Sequence, residues 1–308
     1  MSPMRPAIGF VEAAADMPRQ LSGSTFRLRD GRTIGYLQVG KADGPAIFHF
    51  HGHGSSRLEA LLVAEKAADV GVRLIALDRP GIGRSSANEG YRLLDWPDDV
   101  AEVAHQLGIG RFAVEGFSAG GAFALACAYK YPHRLTACGL ISSLPPGALV
   151  RKAGPLWMRS VWWIGEHCPS LFQFYLGLLP DRARDERTVE KQLLRIASHL
   201  AEADRTLLRT PELRSQLVQA MVESRRQGSG GTRYEAMIGV QPWGFQPGEI
   251  TFEKIFLWHG GQDRFMPVAS ARLLARELPH CTAVFYPNEG HFSVLKNYTL
   301  DILDALRR

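Results

Sequence analysis

Cysteine is scarce: Cys127, Cys138, Cys168 and Cys281 are the only four in 308 residues, widely spaced and without a C-x-x-C pair. Such spacing fits buried free thiols in a reducing compartment better than a disulfide framework. No apolar stretch is long and charge-free enough to span a bilayer. The first 23 residues, an arm with no assigned role, lack a continuous apolar run and carry Glu12 and Asp16. They do not read as a signal peptide, and a cytoplasmic location is expected. Nor is there any run of basic side chains interleaved with aromatics. The formal net charge is +5 and the pI about 9.1, but Lys and Arg are scattered, so no nucleic-acid partner is expected.

What remains is an ordinary globular composition, with 45% apolar and 22% charged residues. The length suits one large domain, or a core domain with an insertion. STFRLRDGRTIGYLQVG (24–40) reads as a hairpin about Asp30-Gly31. Short apolar runs then alternate with helical stretches. AIFHF (46–50) and VRLIAL (72–77) read as strands on either side of a helix over 57–71 that Gly71 closes. A helix over 95–108, with Asp95 as its cap, precedes the strand RFAVEG (111–116). A helix from Ala119 to about Tyr131 and the strand TACGLIS (136–142) follow. This alternation predicts an α/β fold in which helices cover both faces of a mostly parallel sheet.

From about Ser143 to Glu249 the alternation stops and helical periodicity takes over. Val189, Leu193, Leu194, Ile196, Ala197, Leu200 and Ala201 are expected on one helical face, and QGSGG (227–231) reads as a flexible joint. Alternation resumes with KIFLWHG (254–260), a helix over 268–280, TAVFYP (282–287) and a terminal helix. The organisation is therefore an arm (1–23), a core (24–142 and 250–308) and a helical insert (143–249).

EGFSAGG (115–121) contains a G-x-S-x-G sequence centred on Ser118, placed where a strand ends and a helix begins. A serine held in a strained turn there presents its oxygen above the sheet. A serine hydroxyl needs a positioned base, itself oriented by a carboxylate. Asp263 follows one strand and His291 follows the last, in the order Ser…Asp…His. Ser118, Asp263 and His291 are thus the candidate catalytic residues.

Together with HGHGSSR (51–57), DRPGIGRSS (78–86), GGQDRFMP (260–267) and EGH (289–291), these motifs make the chain resemble α/β-hydrolases with a serine nucleophile, over roughly residues 25 to 308. The resemblance implies a mostly parallel eight-stranded sheet with a helical cap inserted after strand 6, the slot of residues 143–249. It further implies that the backbone N–H groups of His53 and Ala119 form the oxyanion hole.

HFHGHGSS (49–56) sets His49, His51 and His53 at alternate positions, a spacing that could aim three imidazoles at a metal. An H-x-H-x-D-H site would need an aspartate at position 53 and a histidine at 54, where this chain has His53 and Gly54. No later cluster supplies the missing ligands, so neither metal nor cofactor is expected. His51 is expected to brace the loop, and His49 to be a core residue.

The expected activity is cleavage of a carboxylic ester or lactone through an acyl-enzyme. A C–C bond hydrolase with the same residues, or a slow-turnover ligand sensor, are the alternatives. Charges in 144–250 nearly balance, 14 basic against 11 acidic, which points to a neutral, apolar small-molecule substrate. Of the aromatics in LWMRSVWW (156–163) and LFQFYLGLL (171–179), most are expected to glue the insert to the core. Trp157, Trp162, Phe172 and Tyr175 are the candidates for a substrate pocket.

Overall fold

The computed structural model describes residues 24–178 and 185–308, so the N-terminal arm lies outside the described residues. The strands are β1 (Ser24–Arg27), β2 (Thr33–Gly40), β3 (Ala46–Phe50), β4 (Arg73–Leu77), β5 (Phe112–Phe117), β6 (Leu135–Ile141), β7 (Ile255–Gly260) and β8 (Cys281–Tyr286). They form one sheet in the order β1-β2-β4-β3-β5-β6-β7-β8, with β2 antiparallel to both its neighbours and every other pairing parallel.

Side chains alternate across the sheet as a pleated strand requires. Ile47, Leu74 and Ala76 enter one buried cluster, while Phe48, Phe50, Ile75 and Leu77 enter the other. The first face is closed by α1 (Ala64–Val70) and the C-terminal α12 (Phe292–Asn297) and α13 (Thr299–Arg307). The second is closed by α2 (Trp96–Gln106), α3 (Gly120–Lys130) and α11 (Val268–Glu277). Trp96 anchors that side, fully buried and edge-on to Phe50 at 5.3 Å.

Between β6 and β7 run α4 (Gly147–Ala153), α5 (Leu156–His167), α6 (Pro169–Leu178), α7 (Glu186–Ala197), α8 (Glu202–Arg209), α9 (Pro211–Glu223) and α10 (Gly230–Val240). No helix among the described residues is long and apolar enough to cross a membrane.

Four local readings are corrected. The 57–71 helix is 3₁₀ from Arg57 to Val63 and becomes α only at Ala64. Its first residue, Arg57, donates its N–H to Asp78, and Ser56 caps the turn by accepting Leu58 N–H. Asp95 does not cap α2; its carboxylate instead accepts the N–H of Arg92 in the preceding 3₁₀ turn. Leu194 and Ile196 are exposed, whereas Val189, Leu193 and Ala197, spaced four apart, form the buried face of α7; Leu200 and Ala201 are buried beyond its end. QGSGG is fastened rather than loose: Gln227 donates to the carbonyls of Gly83 and Ser85. Gly231 meets Gly81 so closely that a Cβ there would fall 2.2 Å from the Gly81 oxygen.

Arg57 and Asp78, both fully buried, form an ion pair at 2.5 Å, and Arg57 also reaches Glu223 of α9 at 2.8 Å. Removing one partner of such a pair leaves a charge buried with too little compensation. Asp78→Ala should lower the unfolding free energy by about 3 kcal/mol or more, read from denaturant titration with an unchanged m-value.

Candidate active site

Ser118 sits between β5 and α3 with φ at +53°, a left-handed conformation that costs a residue with a Cβ of order 1 kcal/mol or more. The surroundings impose it. Ser118 N–H donates to the Ile141 carbonyl at the end of β6, and the Ser118 carbonyl accepts from Gly121 and Leu144. A Cβ at Gly120 would lie 2.0 Å from the Phe50 oxygen, so only glycine lets α3 start this close to β3.

Asp263 follows β7. Its Oδ1 accepts the N–H groups of Phe265 and Met266, both at 2.8 Å, and its Oδ2 lies 2.7 Å from His291 Nδ1. A carboxylate can only accept, so His291 Nδ1 carries the proton and its Nε2 is left basic. Burial disfavours the Asp263 carboxylate, yet the neighbouring His291 outweighs it and holds the pKa below the usual range. Burial likewise disfavours a charged His291, but the charge and hydrogen bond of Asp263 raise its pKa above the ordinary value. Ser142 Oγ donates to the His291 carbonyl at 2.9 Å, and the Phe117 and His291 rings lie 4.9 Å apart. Ser118 and His291 thus hang on consecutive residues at the end of β6. No direct hydrogen bond joins their side chains among the described residues, a looseness common before substrate binds.

The three histidines of HFHGHGSS do not converge; each meets different partners. His49 is buried between Glu115 (2.9 Å) and Glu59 (3.1 Å). Burial opposes its charge, but the two glutamates win and raise its pKa to about 9. Glu59 also accepts Gly52 N–H, which ties the buried charge to the loop. His51 faces Arg79, whose Nη2 lies 2.9 Å from His51 Nδ1 and whose Nη1 donates to the His51 carbonyl at 2.7 Å. Burial, then Arg79, push its pKa down to about 3, so His51 is a neutral brace. His53, partly exposed, lies 3.3 Å from Glu235 of α10, which also takes Arg79 Nε at 2.5 Å. Burial disfavours the Glu235 carboxylate, but Arg79 and the histidines hold its pKa well below the usual range.

The loop passes close to the serine, since a Cβ on Gly52 would meet the Ser118 Cβ at 3.4 Å. With Gly52 N–H given to Glu59, the backbone N–H groups of His53 and Ala119 carry no hydrogen bond among the described residues.

Several side chains at the site gave no signal in the sequence. Asp204 of α8 is fully buried and accepts the N–H groups of His291 (2.7 Å), Phe292 (2.9 Å) and Ser293 (2.9 Å). It thereby caps α12 from another part of the chain. Glu59, Glu115 and Glu235 were equally silent, because a lone glutamate in a helical or strand pattern has no distinguishing spacing.

The pocket candidates divide. Trp162 and Phe172 pack in a small cluster with Leu176 of α6 and Val240 of α10. Trp157 and Tyr175 are 62% and 55% exposed, so they are not packed between the insert and the core.

A family model described as alpha/beta hydrolase fold matches residues 45–298. A bifunctional esterase/perhydrolase of Acinetobacter calcoaceticus is 33% identical over 129 residues, which cover 41% of this chain and 47% of that protein. The chain thus spans about half the length of the curated relatives it matches. Among solved structures, an esterase from Exiguobacterium antarcticum superposes with a TM-score of 0.70 at 18% identity, covering 93% of this chain and all of that one. An enol-lactonase from Burkholderia xenovorans gives 0.69 at 18% identity, covering 92% and 100%.

Two outcomes follow from the buried charges. The folded state binds a proton on His49 more tightly than an ordinary imidazole does. The resulting stabilisation, about 3 kcal/mol, is full below pH ~6.5 and is lost as pH rises through about 9. The difference in unfolding free energy between wild type and His49→Gln should shrink across that window. Asp204→Ala leaves the N–H groups of residues 291–293 without their acceptor, costs about 2 kcal/mol or more, and speeds amide exchange there.

Proposed function

The chain belongs to the α/β-hydrolase fold family, and from that premise we propose that it is a serine hydrolase that cleaves a carboxylic ester or lactone through an acyl-enzyme. One observation carries the proposal: a serine strained to φ +53° at a strand-to-helix turn, beside a buried Asp263–His291 pair. A relative named as an esterase/perhydrolase supports the same reading.

His291 Nε2 takes the Ser118 hydroxyl proton as the oxygen attacks the substrate carbonyl carbon. Asp263 keeps the Nδ1–H tautomer and stabilises the imidazolium that forms. The N–H groups of His53 and Ala119 receive the developing oxyanion, each such donor being worth about 3 kcal/mol. His291 then passes its proton to the leaving alcohol, and the acyl group stays on Ser118. Water, deprotonated by His291, attacks the ester carbonyl, and the acid leaves as Ser118 recovers its proton. Glu59 and Arg79 act at one remove by holding the loop that carries His53. Residues 143–249 serve as the cap over this site, and the substrate is a neutral, apolar small molecule.

His291 must be neutral to accept the proton, and its pKa is raised. The acid limb of kcat/KM for a p-nitrophenyl ester should therefore lie above pH ~6.5, the ordinary imidazole value. Asp263→Asn should keep the fold and lower kcat by about 10⁴, as in the analogous serine protease case. Full activity in Ser118→Ala, or a profile with no acid limb in that range, contradicts the scheme. A single slow burst without turnover would identify a ligand sensor instead.

A further inference from the structure

The exposed apolar surface is concentrated in one place. Twelve large apolar side chains are exposed among the described residues, and seven of them lie on α5 and α6. Those seven are 50–76% exposed, whereas the five scattered elsewhere reach only 36–45%. On α6, Leu171, Phe174, Tyr175 and Leu178 fall at i, i+3, i+4 and i+7, a single outward stripe. Phe172 and Leu176, on the opposite side, are already buried against α5 and α10. The helix is thus apolar on both sides, a pattern that belongs to a helix with apolar material on each. Leu156, Trp157 and Trp163 are likewise exposed on α5, which packs against α6.

Charge distinguishes between the possible occupants. From Gly147 to Leu178 the sole carboxylate is Glu166, and it is paired with Arg151. Lys152 and Arg159 are exposed and have no carboxylate partner among the described residues. Arg151, Arg159 and Trp163 border one shallow groove, so cations and an indole ring rim the same hollow. In a two-fold pairing with a second copy this patch would offer Lys152 and Arg159 no free carboxylate, because such an interface joins the patch to the same patch. An anionic bilayer surface satisfies every part. Leu and Phe enter the acyl boundary, Trp and Tyr rest at headgroup depth, and Lys and Arg meet lipid phosphates.

We propose that the exposed face of α5 and α6 docks the protein, without spanning, on an anionic lipid surface. The inference stands independently of the reaction at Ser118, and it gives the exposed Trp157 and Tyr175 a role.

The test uses the purified full chain and vesicles of phosphatidylcholine with or without phosphatidylglycerol, read by flotation and by tryptophan emission. Binding with a blue shift is expected only where phosphatidylglycerol is present. Leu171→Ser/Phe174→Ser/Leu178→Ser, at exposed positions that leave thermal unfolding unchanged, should weaken it about tenfold or more. Lys152→Glu/Arg159→Glu, or high salt, should weaken it several-fold. Absence of binding to either vesicle, or equal binding by the serine variant, overturns the proposal. So does a wild-type dimer that the same serine substitutions turn into monomer, which would make the face an interface between copies.

Discussion

Three buried carboxylates contributed by the insert hold three loops of the core. Asp204 of α8 takes the backbone N–H groups of residues 291–293, Glu223 of α9 takes Arg57, and Glu235 of α10 takes Arg79. Lifting this half of the insert would break the Glu223 and Glu235 ion pairs of Arg57 and Arg79 and leave three peptide N–H groups without their acceptor. That cost fixes the loops around Ser118 in one arrangement. The hydrogen-bonding is also what separates the two halves of the insert: α8 to α10 are fastened by charge, whereas α5 and α6 turn an apolar face outward.

Buried charges also give three histidines of one strand-end sequence three different roles. His49, between two glutamates, carries a proton; His51, against an arginine, is neutral; His53 turns to Glu235 at the edge of the site. Alternation along the chain does aim side chains to one side, but partners from elsewhere decide where each ring ends. His49 pairs along the sheet with β5 and the 3₁₀ turn, and only the backbone beyond it reaches Ser118.

Much of this was legible in the sequence where local chemistry is obligatory. The strands alternate or run apolar, glycine is forced where α3 meets β3, and Ser118, Asp263 and His291 each stand just past a strand, as their order implied. Segments held by distant partners were not legible. QGSGG has the composition of a flexible joint, yet Gln227 and the contact of Gly231 with Gly81 pin it. Asp204 sits in a helix whose pattern says nothing about residue 291, 87 positions away. The aromatics of α5 and α6 show the limit of composition. Trp157 and Trp162 read alike in sequence, but one faces solvent and the other packs against the insert's own core.

The claim on which the account rests is that Ser118 is activated by His291 within a loop that Asp204 holds. Its most direct measurement is the rate of labelling by a fluorophosphonate, read as intact mass with the modified peptide mapped, because the probe needs an activated serine but little substrate recognition. A single adduct on Ser118, abolished in His291→Ala and slowed in Asp204→Asn, is the predicted result. Folded protein that stays unlabelled, or an adduct on another residue, would contradict it.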